Sequence, residues 1–248
     1  MRSAASADAA VASDAAVAPL RERCSAAAQR LLASAAALGS GALLPAWQAP
    51  GVGAEAARSD AEATLEELLA LASAASPPDA DAGLVGAWEL VYASRGTVVT
   101  RALALPPPLA QLPRPEVSRV VQTLAPAPAG APAGTLRADN AACLDLGPLG
   151  TWRLRALGTW TPQAAAPPPS RWPDALVAFD AFAVEAVRLG GAAVEGRVPP
   201  LRVPVPSALA GRGATFRTLY LDECMRVAEG AASGSRFVFT RAGPPPRA

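Results

Sequence analysis

The hydrophobic and polar positions divide the chain into a helical first third and a β-rich remainder. In the segment that begins at Gly86, Trp88, Leu90 and Tyr92 fall on one face of a strand with period-two alternation. Pro- and Gly-rich stretches separate further runs of the same kind. These runs predict strands over residues 97–103, 117–124, 135–146, 151–161, 176–187, 216–227 and 236–241.

Two helices are predicted before the first strand. Apolar residues recur at three- and four-residue spacing over 20–38, and the Gly-Ser-Gly at 39–41 marks the end of that helix. The second helix is predicted over 60–75, with Asp60 as its N-cap. Acidic rather than basic residues line its polar face, so we expect it to dock on the protein body and not on a membrane surface.

The strand count and the absence of long helices among the strands define the fold class. We predict a mainly β protein, an antiparallel β-barrel that carries two N-terminal helices. A barrel of this size is either filled by its own side chains or encloses one small apolar ligand. The predicted parts are a disordered tail or transit-peptide remnant at 1–19, a helical segment at 20–83, the barrel at 84–243 and a short tail at 244–248.

An uncharged run over residues 31–54 raises the question of a membrane span. Several Gly and Pro residues interrupt the run after Leu38, and Ala supplies much of the rest. The sequence therefore predicts no transmembrane span.

Composition excludes several functions. The 248 residues contain neither Lys nor His, and the scattered Arg residues leave a net charge of +1, which argues against nucleic-acid binding. Without His there is no Ser-His-Asp triad and no His-ligated metal. Cys24, Cys143 and Cys224 lack zinc-ligand spacing and are interpreted as reduced thiols, with a Cys143–Cys224 redox pair as the alternative. We predict no catalytic residue, no metal and no cofactor.

The Gly86-Ala87-Trp88 tripeptide resembles the opening of the first strand in lipocalins. In that family the Trp closes one end of the barrel and an Arg from the last strand lies over it as a cation–π contact. The resemblance implies a lipocalin-like barrel in which Trp88 closes one end, together with Arg236 or Arg241.

Two longer motifs resemble those of the plastid lipid-associated proteins, or fibrillins. They are Leu-Val-Gly-Ala-Trp-Glu-Leu-Val-Tyr-Ala-Ser at 84–94 and Tyr-Leu-Asp-Glu at 220–223, which is followed by a hairpin. The resemblance implies a plastid protein of thylakoids or plastoglobules that is not an enzyme. It further implies binding to apolar lipids such as prenylquinones, carotenoids or acyl lipids. Glu229, where the family has a basic residue, and the Pro-rich insertions after Ala125 and Thr161 depart from the family pattern.

The residues that a cavity ligand would meet are predicted from the strand pattern and from side-chain chemistry. Phe179 and Phe182 lie three positions apart on one strand, so we expect only one of them to line the cavity. The candidates for ligand contact are Trp88, Leu90, Tyr92, Phe179, Tyr220 and Asp222.

Asp222 has two interpretations. In the first, its carboxylate faces the cavity and orients a lipid head group or acts as an acid–base group. In the second, it is structural and either bonds backbone N–H groups of a turn or forms an ion pair with Arg226 at the barrel rim.

Three functions are compatible with this pattern. They are a lipid-binding barrel, a coat protein of lipid droplets with a filled barrel, and an accessory factor in isoprenoid-lipid metabolism. The expected partners are an apolar lipid or isoprenoid ligand and a peripheral lipid surface.

Overall fold

A computed structural model describes residues 5–44, 53–74, 83–97, 116–163, 172–205 and 213–243, with side chains from residue 19 onward. Helix α1 spans Ala5–Leu38 and helix α2 spans Ala54–Ala74. The strands are β1 (Gly86–Ala93), β2 (Glu116–Pro126), β3 (Leu136–Asp145), β4 (Thr151–Pro162), β5 (Ala175–Leu189), β6 (Ala192–Ala193), β7 (Leu201–Pro204), β8 (Ala214–Leu221), β9 (Met225–Gly230) and β10 (Arg236–Arg241).

Strands β1 to β5 and β8 to β10 form a closed antiparallel barrel. Neighbours in the chain are neighbours in the sheet, and pairing of β10 with β1 and of β5 with β8 completes the ring. The predicted fold class, a lipocalin-like barrel with two N-terminal helices, is therefore confirmed. The end that holds the start of β1 is called the base, and the opposite end, which holds the turns β3–β4 and β5–β6, is called the mouth.

The barrel seam between β5 and β8 is short. Residues 175–177 of β5 pair with β8, whereas residues 181–184 pair with β7, a strand that lies outside the ring. β5 therefore pairs with β8 near the base, where this pairing closes the ring. Toward the mouth, β5 pairs with β7 instead.

Helix α1 ends where its sequence predicts. Gly39 has a φ of 54°, a left-handed conformation that suits glycine, and a 3-10 turn follows to Leu43. Its start differs from the prediction, because the helix begins at Ala5 and continues through Pro19, across the predicted tail. Neither helix in the described part of the chain is long and apolar enough to cross a membrane.

Helix α2 begins earlier than predicted. Asp60 is not its N-cap, because the helix starts at Ala54, directly after Gly53 with its φ of 105°. Leu65 and Leu68 are fully buried, so the helix docks on the protein body as expected. The two helices pack on each other and on the outer face of the barrel in one apolar cluster, whose largest buried members are Leu31, Leu65, Leu68, Tyr92, Tyr220, Met225, Val227 and Val238.

The predicted strand 216–227 is wrong, because it is two strands joined by a turn. β8 ends at Leu221 and β9 begins at Met225. The Asp222 carboxylate accepts hydrogen bonds from the backbone N–H groups of Cys224 and Met225, and this arrangement fixes the reversal of the chain. In the predicted strand 97–103, Thr97 is irregular and the remainder lies outside the described residues.

A second apolar cluster fills the barrel interior from the base as far as Val117 and Leu144, which lie toward the mouth. Its members come from every strand of the ring and include two further tryptophans from β4 and the start of the β5 segment. The buried side chains are chiefly Leu84, Trp88, Leu124, Ala138, Trp160, Trp172, Val177, Leu221 and Phe239.

Candidate ligand-binding interior

Trp88 and Arg241 close the base of the barrel. The Arg241 guanidinium lies 4.2 Å from the centre of the Trp88 ring and donates hydrogen bonds to the carbonyls of Gly83, Val85 and Glu223. Gly86 lies beside this contact with a φ of 137°, and a Cβ there would lie 2.5 Å from an Arg241 nitrogen. Glycine at the start of the motif therefore provides both the backbone conformation and the space for the arginine.

Arg236, the other arginine considered for this position, lies at the mouth end of β10. It forms ion pairs with Glu66 of α2 and with Glu229 of β9. Its role is to attach α2 to the outer face of the barrel, and it makes no contact with Trp88.

Tyr92 and Tyr220 do not line the interior, which corrects the sequence prediction. β1 has a bulge between Leu90 and Tyr92, and β8 has one between Thr218 and Tyr220. A bulge adds one residue and reverses the side-chain alternation that follows it. Leu90 therefore faces inward, whereas both tyrosines pack against the helices.

Both tyrosine hydroxyls donate hydrogen bonds to carboxylates. Tyr92 bonds to Glu62 of α2 and Tyr220 bonds to Asp222. Burial, followed by these hydrogen bonds, raises the pKa of each tyrosine well above its usual value. The two phenols therefore stay protonated and act as fixed donors at the boundary between helices and barrel.

Asp222 is a turn residue. Its two carboxylate oxygens are used by Tyr220 and by two backbone N–H groups of the β8–β9 turn. The predicted alternative, an ion pair with Arg226, does not form, because Arg226 is directed into the barrel instead.

Phe179 and Phe182 both face the interior, against the expectation that one of them faces outward. Gly158 of β4 pairs with Phe179 and Leu157 pairs with Ala181, so Asp180 is the extra residue of a bulge. The two rings are 6.5 Å apart, centre to centre. The bulge thus places two aromatic rings on one interior wall.

That wall is open to solvent. Phe182 is 43% exposed although its register places it on the interior side of β5. Leu201 and Val203 of β7 continue the same face and are 66% and 47% exposed. The interior is therefore packed at the base, and on its β5–β7 side it is accessible to solvent toward the mouth, whereas Val117 and Leu144 on the opposite side are buried.

A row of polar side chains crosses the interior just above Trp88. The Arg226 guanidinium donates a hydrogen bond to Oε1 of Gln122, and the Gln122 amide donates to Oδ1 of Asn140 at 2.8 Å. Arg226 also lies 4.4 Å from the centre of the Phe239 ring and 5.5 Å from that of Trp88. The strand pattern did not indicate Arg226 as an interior residue, since it depends on the turn that ends β8.

Arg226 is a buried cation. Burial, together with the positive charge of Arg241, lowers its pKa to about 9, so the group is still protonated at neutral pH. Its Nε has no hydrogen-bond acceptor, and no carboxylate in the described part of the chain forms an ion pair with it.

A second concavity lies where β1 and β2 stop pairing, and Leu43, Leu90 and Val117 in its lining also belong to the interior apolar cluster. It is a cleft of about 530 Å³ between the end of α1 and the edge formed by β1 and β2. Its lining includes Leu32, Ala35, Leu43, Leu90, Val117 and Ser118.

The three cysteines are unpaired. Cys24 is buried in α1, Cys143 is on β3 close to the mouth and Cys224 is in the turn at the base. The alternative of a Cys143–Cys224 pair is therefore wrong, because the two thiols lie at opposite ends of the barrel.

Comparisons with models of known protein families, with curated proteins and with solved structures found no match for this chain.

Proposed function

We propose that this protein binds an apolar lipid in the interior of its barrel and does no chemistry on it. The observation that carries the proposal is the aromatic wall formed by the partly buried Phe179 and the exposed Phe182 inside a barrel that is closed at its base. Burial of an apolar chain against such a wall stabilises the complex by roughly 25 cal/mol for each Å² removed from water. Prenylquinones, carotenoids and acyl lipids all present chains of this kind.

The membership in the fibrillin family and the plastid location are parts of the same proposal. They rest on the motifs at 84–94 and 220–223, and the structure gives each motif a physical role in the barrel. The first contains the glycine and tryptophan of the closed base, and the second contains the turn that Asp222 holds.

A quenching experiment tests the proposal. Trp88, Trp152 and Trp160 face the interior, so a benzoquinone with a ten-carbon chain should quench tryptophan fluorescence saturably with one molecule per chain. Ala156 is a small interior residue, and Ala156→Phe should fill the space and weaken binding by about tenfold or more. Ala141→Phe, on the outer face of the neighbouring strand, is the matched control and should bind as the parent does.

A second candidate function is a coat on lipid droplets, and the apolar residues at the mouth favour it. The large exposed apolar side chains of the described residues lie on β5, on β7, in the loop before β7 or in the β3–β4 turn: Leu149, Phe182, Leu189, Val198, Leu201 and Val203. Clustered exposed apolar residues mark surfaces that meet lipid or protein.

Flotation with a triglyceride emulsion separates the two functions. If the protein is a coat, replacement of Leu201 and Val203 by Ser should abolish flotation, while Ala156→Phe should leave it unchanged. If the protein carries a lipid inside, Ala156→Phe should abolish quinone binding whether or not the protein floats. Absence of quinone binding by the parent protein would overturn the carrier function and leave the coat.

A further inference from the structure

Among the residues that the structure describes, Arg226 has no counter-ion, although it lies in a part of the molecule where charges are costly. It is 3% exposed, and the Arg241 guanidinium close to it carries the same sign. Transfer of a cation from water into a protein interior is unfavourable unless an anion or several hydrogen-bond acceptors compensate it. The structure provides one acceptor, Gln122, and the faces of two aromatic rings.

The other arginine at the base does not have this deficit. Arg241 donates hydrogen bonds to the carbonyls of Gly83, Val85 and Glu223, which occupy its guanidinium. The uncompensated charge of the interior is thus centred on Arg226, and it corresponds to a single negative charge on a ligand.

The open part of the interior reaches the polar row. Gln122 and Asn140 face inward and are still partly exposed. Asn140 is in register with Ala156 and, through it, with Phe182, so the amide groups lie in the same interior row as the exposed ring of Phe182. The Arg226–Gln122–Asn140 hydrogen bonds orient the amides in one direction, since Asn140 accepts from Gln122 through its oxygen. Its amide N–H₂ is then the donor at the end of the row.

We infer that the barrel binds a single-chain lipid with a carboxylate head group, its carboxylate at Arg226 above Trp88 and its chain directed along the Phe179–Phe182 wall to the mouth. This inference rests on the proposed function and adds the class of ligand and its orientation. Arg226 and the carboxylate form a charge-assisted hydrogen bond, which is stronger than a neutral one. A phosphate monoester fits less well, because its second negative charge would have no partner.

The test compares oleate with methyl oleate, which has the same chain without the charge, on the full-length protein by titration calorimetry. The parent protein should bind oleate at least about tenfold more tightly than methyl oleate, which corresponds to about 1.4 kcal/mol. Arg226→Met should remove that difference by weakening oleate alone. Arg119→Met is the control, because it removes an arginine that pairs with Glu89 on the outer face. This variant should keep the difference in affinity between oleate and methyl oleate.

A second measurement does not depend on the folding of a variant. The carboxyl ¹³C resonance of labelled oleate bound to the parent protein should titrate at a lower pH than a carboxyl exposed at the mouth, because the cation favours its ionised form. A resonance that titrates at the ordinary pH would contradict this head-group orientation.

The outcomes distinguish the inference from the proposed function. Equal affinity for oleate and methyl oleate would overturn the carboxylate site and leave the apolar cavity intact. Absence of binding of both compounds would overturn both. Tighter binding of oleyl phosphate than of oleate would overturn the choice of head group.

Discussion

The guanidinium of Arg58 on α2 lies 5.6 Å from the centre of the Tyr92 ring on β1. The same group donates hydrogen bonds to four carbonyl oxygens, those of Gly41 and Leu44 after α1 and those of Ala93 and Ser94 at the end of β1. One side chain therefore connects both helices to the barrel.

Arg58→Met should lower the free energy of unfolding by about 3 kcal/mol, because the carbonyls lose a charged donor. Urea denaturation measures this change. Arg30→Met removes an exposed ion pair with Glu67 between the same helices, and it should cost less than about 1 kcal/mol. Equal effects of the two substitutions would show that the Arg58 contacts contribute little.

The two tyrosines predict a loss of stability in alkali. Their pKa values are raised in the folded protein, so the unfolded chain releases these protons first, from about pH 10 upward. Since the folded state then binds more protons than the unfolded state, stability falls as the pH rises through that range. Unfolding free energies between pH 8 and 11 measure the slope.

The chain has only two tyrosines, so Tyr92→Phe with Tyr220→Phe removes the entire tyrosine contribution. Arg226 and Cys24 also titrate with shifted pKa values, and the difference between parent and double variant isolates the tyrosines from them. A double variant whose alkaline slope matches that of the parent would refute the prediction.

Gly158 should tolerate no larger side chain. A Cβ at this position would lie 1.9 Å from the Ala178 carbonyl oxygen and 2.8 Å from the Phe179 Cα, both backbone atoms. Gly158→Ala should therefore destabilise the protein by roughly 2–3 kcal/mol through displacement of β5 at its bulge. Thr159→Ala on the outer face of the same strand is the control, and thermal unfolding is the measurement. An unchanged melting temperature of the glycine variant would contradict the close approach of the strands.

Arg241→Gln should open the base of the barrel. It removes the charge over Trp88 and at least part of the hydrogen bonding to Gly83 and Val85. The free energy of unfolding should therefore fall by roughly 2–3 kcal/mol. Fluorescence quenching by acrylamide should increase, because water gains access to Trp88. Arg188→Gln at the exposed end of β5 is the matched control. It should change neither the free energy of unfolding nor the quenching by acrylamide.

The sequence predicts the fold correctly where a single local pattern of residues determines the structure. Glycine 39 ended α1, and alternation placed Trp88 and Leu90 on the interior face. The predictions failed where an extra residue or a side chain altered the strand. Bulges moved Tyr92 outward and Phe182 inward, and such bulges arise from the pairing of strands distant in sequence. The turn at Asp222 that separates β8 from β9 depends on hydrogen bonds that residue types alone do not specify.

Arg226 shows the same limit at the candidate site. The sequence predicts a single strand over 216–227, and in that strand Arg226 is expected at the barrel rim as a partner of Asp222. Its interior position follows from the turn before it and from its partner Gln122, which lies far away in the sequence.

The partner exchange of β5 has a mechanical consequence. The base is a ring of fixed circumference, held by continuous pairing and by the Trp88–Arg241 contact, whereas at the mouth β5 borders β7, a short and exposed strand. The base of such a barrel keeps a constant width, whereas the β5–β7 side of the mouth can change its position. For the ligand that we propose, this construction predicts strict recognition of the head group at the base and acceptance of chains of different length and bulk at the mouth.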